Sequence, residues 1–364
     1  MRKLPSGRLQ ASYLNDAGIR VTAPTTFETR IDADAWLHRQ KEAMDRGDHR
    51  DPKAGRETFK AYAERWLLET KMTPRTRADY RRHLDRFLIP TFGAQSLVSI
   101  TPAQVKTWHA TLCPGKPSMR SHVYGTLRTI TLAAVNDSKL QSSPCRIKSA
   151  GKSKRARKIK PATVPELDVM VEAMPERLRA MVLIAAWCGL RYGELAELRR
   201  GDLDLLHALV KVTRGVTRTK GQWHVGPPKT EAGIRDVDIP PFLVPILEAH
   251  LTEHVGPAAD ALMFPGALGG YLSPSSLYDH WYPARAAAGR KDLSFHGLRH
   301  TGATFAALAG ATIADNMARM GHATPAAAML YQHAVGDDRG AAIAAMLSEF
   351  HAAKATPLRP RARA

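Results

Sequence analysis

The chain has 364 residues, with 53 Lys and Arg against 34 Asp and Glu, a formal net charge of +19. One hydrophobic core seldom organises more than about 250–300 residues, so two or three domains are expected. So large a basic excess suits a polyanion, because each neutralised phosphate releases condensed counterions. Cys113, Cys145 and Cys188 lie far apart with no zinc-type spacing, which fits a reducing cytoplasm rather than a disulfide framework. The longest strongly apolar run, Met181 to Leu190, is about half of the ~20 residues a membrane span needs and reads as a buried helix. The basic N-terminus has no apolar stretch behind it to make a signal peptide.

Residues 8–23 predict a small hairpin, with Leu9, Ala11, Tyr13 and then Ile19, Val21 alternating around Asn15-Asp16-Ala17-Gly18. Thr29 and Asp32 have capping spacing, and Ala33 to Arg46 predicts a helix stopped by Gly47. His49 to Gly55 reads as a linker. From Thr58 the period becomes helical, with Phe59, Tyr62, Ala63, Trp66 and Leu67 on one face. Thr73-Pro74 starts a second helix, expected to end at Pro90, and Thr101-Pro102 a third. A fourth is expected from about Ser118 to Lys139. Arg75, Arg77, Arg81, Arg82, Arg86, Lys106, Arg120 and Arg128 are candidates for a phosphate backbone or an ordinary solvated surface. Residues 148–160 carry Lys148, Lys152, Lys154, Arg155, Arg157, Lys158 and Lys160 without an acid, a segment expected to stay extended until it meets a polyanion.

A further domain is expected from Thr163, where Thr163-Val164-Pro165-Glu166 forms a capping box. A buried helix to Cys188, short strands at Leu209–Val216, Gln222–Val225 and Ile234–Ile239, and helices from Pro241 to about Ser348 follow. Pro357 to Ala364 reads as a disordered basic tail.

Four local patterns in this half bear chemistry. In Gly189-Leu190-Arg191-Tyr192-Gly193-Glu194, Arg191 and Glu194 are three apart and share a helix face, an arrangement that also fits a plain surface ion pair. In His296-Gly297-Leu298-Arg299-His300, a proton carrier and a guanidinium fork matched to phosphate oxygens point to one side. His296 and His300 have a spacing that admits zinc, but Gly297 stands where a zinc hydrolase has Glu, so no metal is expected. In Gly321-His322-Ala323-Thr324-Pro325, one helix ends and another starts, with Tyr331 nine residues after His322. Tyrosine, with a pKa near 10, becomes a nucleophile only where cations stabilise the phenolate. Pro228-Lys229-Thr230-Glu231-Ala232-Gly233 reads as a hairpin turn presenting Lys229, a proton donor for a leaving oxygen; Lys211 and Lys220 are the neighbouring candidates.

In order and spacing, Arg191 with Glu194, Lys229, His296-x-x-Arg299, Gly321-His322 and Tyr331 resemble the active site of tyrosine recombinases of the phage-integrase type, over roughly residues 58–345. The N-terminal hairpin and helix resemble the small arm-site-binding domain of many phage integrases. The resemblance implies a mainly α fold with small β elements (α+β). Its parts would be an arm-type DNA-binding domain over 1–55, a SAM-like helical core-binding domain over 56–147 and a basic linker over 148–162. A catalytic domain over 163–350 and the tail 351–364 complete it. It implies a site-specific integrase working without metal, nucleotide or other cofactor. Tyr331 would form a 3′-phosphotyrosine bond, Arg191 and Arg299 hold the phosphate, Lys229 act as general acid, His296 assist the proton transfer and His322 hydrogen-bond the phosphate. Glu194 and His300 would support the pocket, and Arg75, Arg77, Arg81 and the linker residues Lys152, Lys154, Arg155, Arg157, Lys158 and Lys160 would touch DNA. The implied partners are duplex attachment-site DNA, three further copies in a homotetramer, an excisionase and a host DNA-bending protein, in the bacterial cytoplasm and not at a membrane. A type IB topoisomerase, a DNA-binding regulator or integrase remnant, and a chromosome-dimer resolvase are the competing readings. The Gly321-His322 motif, the joint presence of Tyr331 with both arginines, and residues 1–50 argue against them in turn.

Overall fold

A computed structural model describes residues 1–14, 18–46, 54–151, 160–325 and 329. The chain divides into two compact units, Met1–Ala156 and Arg157–Ala364.

In the first unit the expected hairpin is present: β3 (Ser12–Leu14) and β4 (Arg20–Thr22) pair antiparallel with Tyr13 opposite Val21, while residues 15–17 of its turn lie outside the described residues. It is preceded by a hairpin that periodicity did not announce, β1 (Arg2–Lys3) against β2 (Leu9–Gln10). Two-residue strands are too short to show alternation. Helix α1 (Arg30–Asp45) begins three residues before the expected Ala33, because the Thr29 hydroxyl accepts from the Asp32 N–H at 3.2 Å and so makes Thr29 the N-cap. Its small core joins Ala11, Ala23 and Ala33 to Phe27, Trp36 and Leu37.

Helices α2 (Phe59–Glu69), α3 (Pro74–His83), α4 (Ile89–Phe92), α5 (Pro102–Thr111) and α6 (Pro117–Asn136) follow. Thr58, Thr73 and Thr101 each cap through the side chain as their spacing predicts. Pro90, however, does not end the second helix. A π-turn at Leu84–Leu88 links α3 to α4, and the Ile89 N–H reaches back five residues to the Leu84 carbonyl. This wider turn lets the chain pass through a proline that has no N–H for the ordinary ladder. Phe59, Tyr62, Leu84, Leu88, Phe92, Leu127 and Ile130 form the centre of the bundle. The buried His83 ring meets the Thr126 hydroxyl at 2.8 Å, tying α3 to α6.

The second unit opens with α7 (Val164–Glu172), capped reciprocally by Thr163 and Glu166. Helix α8 (Glu176–Trp187) is buried almost throughout, and α9 (Tyr192–Glu197) follows Gly189. Strands β5 (Leu203–Asp204) and β6 (Leu209–Val212) join one antiparallel sheet, while β7 (Gly215–Thr219) and β8 (Gln222–Gly226) form a hairpin of their own. Strand β9 (Arg235–Asp238) returns to pair with β6, giving the order β5-β6-β9. Two expectations are corrected here. The strand expected over Leu209–Val216 is broken at Arg214, which turns to pair with Asp202 and Glu197. Pro228–Gly233 is not a hairpin turn, because β8 pairs with β7 and β9 with β6, so the segment crosses from one sheet to the other. The hairpin turn is Lys220-Gly221.

Helices α10 (Val244–Glu253), α11 (Pro274–Ala287), α12 (Phe295–Leu308) and α13 (Ile313–Met320) complete the described unit. Buried Trp281 meets Phe295 edge-on at 5.5 Å in a core that includes Leu178, Met181, Ile184, Phe264 and Leu298. Helix α12 crosses α8 at Gly302, where a methyl group would overlap the Ala186 carbonyl oxygen, so glycine permits the two backbones to touch.

Candidate active site

The site assembles where α9, α12, α13 and β9 meet. Arg191 is the N-cap residue of α9, where its N–H donates to Glu194 Oε2 at 2.8 Å and its guanidinium to Glu194 Oε1 at 2.7 Å. A carboxylate in the first turn also complements the positive end of the helix. The other arm of Arg191 donates to the Gly321 carbonyl at 3.1 Å. Arg299, one turn into α12 and 3% exposed, donates to the carbonyls of Gly189 and Met320. Two guanidinium groups thus converge on the last carbonyls of α13, where the helix dipole favours cations. The turn there needs glycine: Gly321 has φ +59°, and a Cβ would lie 2.7 Å from the Ala232 carbonyl oxygen. The next residue, His322, donates its N–H to the Met317 carbonyl at 3.0 Å, which fixes where its ring starts.

His322 is held neutral. Burial, then the nearby charges of Arg299, Arg191, Arg235 and His296, push its pKa down from 6.5 to about 4. His296 is exposed on α12 and stacks edge-on with buried His300 at 5.1 Å between ring centres. Glu194, 6% exposed, is pushed up by burial, but Arg235, the Arg191 N–H and the Arg191 charge outweigh this and hold it below the usual carboxylate range. An open groove of about 1000 Å³ lies beside the site, lined in part by Arg235, Arg319, His322, Trp187 and Phe305.

Arg235 was missed by sequence reasoning. Its side chain is 5% exposed and forks onto both Glu194 oxygens at 3.3 and 3.0 Å, while its Nε donates to the Arg319 carbonyl at 2.8 Å. A signal existed: Arg235, Val237 and Ile239 alternate, so the arginine is in phase with two core residues.

The described structure brings together Arg191, Glu194, His296, Arg299, His300 and His322. Lys229 is exposed in the segment that crosses to β9, and that segment packs on Gly321 through Ala232 and Gly233. Tyr331 lies outside the described residues, as do Lys152, Lys154, Arg155, Arg157 and Lys158. Lys160 is exposed, and its carbonyl accepts from Arg290, which also pairs with Glu166 at 2.7 Å. In the helical bundle Arg75 is exposed beside Asp79 at 3.3 Å. Arg77 is spent on the Leu67 and Thr70 carbonyls, and Arg81 on Glu64 and Asp85. Those two guanidiniums brace α2 against α3. Among the described residues, no group of three His, Cys, Asp or Glu side chains is placed to hold a metal, and no helix is long and apolar enough to cross a membrane.

Arg191, Arg235, Arg299 and a neutral histidine gather within a few residues of the α13 end, and a planar guanidinium fork matches phosphate oxygens. Comparison with known proteins places that chemistry. Residues 1–46 match the family model for the phage integrase N-terminal domain, 58–113 the phage integrase N-terminal SAM-like domain, and 158–336 the phage integrase family. A putative prophage phiRv2 integrase of Mycobacterium tuberculosis is 46% identical over 358 residues, which is 96% of this chain and 95% of that one. The integrase of Mycobacterium phage L5 is 35% identical over 357 residues, 95% of each chain. Among solved structures, the Tn1549 transposon integrase in complex with transposon right end DNA shares the fold with a TM-score of 0.68 at 17% identity, covering 80% of this chain and 100% of that one. A lambda integrase tetramer bound to a Holliday junction does so with a TM-score of 0.57 at 17% identity, covering 89% and 93%. The chain belongs to the phage integrase family, and it is a site-specific DNA recombinase of the tyrosine type.

Proposed function

We propose that the protein acts on duplex DNA at the attachment sites of a phage or related mobile element, with Tyr331 as nucleophile and the pocket around His322 as the cradle for the scissile phosphate. The observation that carries this reading is the convergence of Arg191 and Arg299 on the Met320–Gly321 carbonyls, one residue before His322. The phenolic oxygen of Tyr331 attacks phosphorus and its proton passes toward His296. The bond from phosphorus to the 5′ oxygen breaks, and Lys229 protonates that oxygen. One phosphoester replaces another, so attack by a 5′-hydroxyl on the 3′-phosphotyrosine reverses the step without nucleotide energy or any other cofactor. Arg191 and Arg299 neutralise the charge on five-coordinate phosphorus. His322, neutral at pH 7, donates an N–H to a non-bridging oxygen. Glu194 and His300 hold the pocket in shape. Lys229 is preferred to Lys220 as the acid because its segment packs against Gly321.

Residues 1–55 serve as an arm-type DNA-binding domain, 56–147 as the core-binding domain, 148–162 as a DNA-crossing linker, 163–350 as the catalytic domain and 351–364 as a basic tail. Joining two sites cuts four strands, so the active form is a homotetramer on DNA; the lambda integrase tetramer on a Holliday junction is a precedent among the fold's neighbours. An excisionase and a host DNA-bending protein set the direction, in the cytoplasm at the nucleoid.

The test is a nicked attachment-site duplex whose cleaved end diffuses away. Intact protein is expected to leave a covalent protein–DNA band on a denaturing gel. Tyr331→Phe is expected to bind the duplex equally well and leave none. A covalent band from the variant ends the assignment of Tyr331.

A further inference from the structure

The β7–β8 hairpin belongs neither to the three-stranded sheet nor to the phosphate pocket. Its turn is Lys220-Gly221 with φ of 51° and 82°, the left-handed pair of a type I′ turn. Asn or Gly suits the first of these positions; a lysine carries a Cβ into a region that disfavours it. The chain therefore places a cation at the apex against local preference, and a disfavoured backbone that persists is a reason to look for function.

Charge supports this. Between Asp204 and Glu231 there is no acidic residue, but there are Lys211, Arg214, Arg218, Lys220 and Lys229. Arg214 is committed to Glu197 and Asp202, and Lys211 lies 4.0 Å from Asp204. Arg218 and Lys220 are exposed, and neither makes a salt bridge among the described residues. Thr217 and Gln222 are exposed beside them.

The hairpin is also braced from behind. Trp223 stacks on Tyr271 at 5.2 Å, and the Arg218 guanidinium lies 5.5 Å over Trp223. At its base, a Cβ on Gly193 would sit 2.7 Å from the Val216 carbonyl oxygen, so β7 packs backbone to backbone on the helix whose N-cap is Arg191. From Gly215 to Thr219 the ribbon spans ~13 Å at ~3.3 Å per residue. That reach covers three to four base-pair steps of ~3.4 Å each, and a two-stranded ribbon fits the DNA major groove.

We propose that the β7–β8 hairpin is a second DNA-gripping element, in which Lys220 and Arg218 neutralise phosphates of the duplex flanking the cleaved one, within about half a helical turn of it. This rests on the recombinase reading above. The experiment uses the full chain and a synthetic duplex centred on the cleavage joint. Lys220→Asn suits the turn and removes the cation, so the melting temperature should hold or rise while DNA affinity falls. In Arg218→Gln/Lys220→Gln, the slope of log K against log salt should shrink by ~1.8, at ~0.9 per lost phosphate contact. Hydroxyl-radical protection should fade at flanking phosphates and persist at the joint. An unchanged slope and footprint in a variant that still cleaves overturns the proposal. So does rescue of a Lys220→Asn cleavage defect by a 5′-bridging sulfur, a leaving group that needs no acid, since Lys220 would then be the proton donor. A wild-type chain that neither binds nor cleaves the duplex brings down the recombinase reading and the hairpin with it.

Discussion

Two charge clusters occupy the two ends of the six-residue helix α9. At its start, Arg191, Arg235 and Arg299 gather with one carboxylate, Glu194, and with the carbonyls of Gly189, Met320 and Gly321. At its end, Arg199 and Arg214 are matched by Glu197 and Asp202. The second cluster is balanced. Among the described residues the first also leans on peptide carbonyls, and Arg191 keeps 38% of its side chain in solvent while Glu194 keeps 6%. Among the described residues the first cluster brings three guanidinium groups to one carboxylate and the second brings two to two. The two ends of one short helix thus differ in the ratio of guanidinium to carboxylate groups rather than in the presence of ion pairs.

The sharpest way to break that comparison is to delete one arginine from each cluster. Arg191→Ala should lower single-turnover cleavage by ~10²–10³-fold, the usual loss for one group that stabilises transition-state charge. Arg214→Ala should leave cleavage of the folded protein within a few-fold of normal. Equal losses in both would abolish the distinction. Next come the buried acids. Glu194→Ala leaves the buried Arg235 guanidinium without its carboxylate and should cost about 3–5 kcal/mol of unfolding free energy by denaturant titration, while Glu197→Ala strips two partly exposed guanidiniums, of which Arg214 keeps Asp202, and should cost less. Only Glu194→Ala should also slow cleavage under conditions where the variant is fully folded. The smallest effect is read on His322. Because burial and cationic neighbours lower its pKa to about 4, its neutral form stabilises the fold. That contribution is complete above pH 6.5 and is lost as pH falls from 6.5 toward 4. Histidine NMR should show it titrating near 4, and Arg191→Ala should move it upward. Titration near 6.5 in the intact protein would mean the ring does not feel the arginines.

Legibility in the sequence followed distance along the chain. Thr58, Thr73, Thr101 and Thr163 announced helix starts because a cap involves residues three apart. Arg191 with Glu194 and His296 with Arg299 were legible for the same reason. Arg235 was not, since its partners Glu194 and Arg319 lie far off in sequence, although its phase with Val237 and Ile239 carried a trace. The crossing between β8 and β9 read as a turn because two flanking strands look alike whether or not they pair with each other. The π-turn before Pro90 was hidden because a proline in a helical pattern normally marks an end.

Gly302 carries a consequence for the whole cradle. With backbone lying on backbone there, α8 and α12 pack in direct contact. Gly189 stands at the end of one and Arg299 one turn from Gly302 on the other, bridged by their own hydrogen bond. The spacing of the two helices at that crossing is therefore set by a hydrogen atom where any other residue would carry carbon.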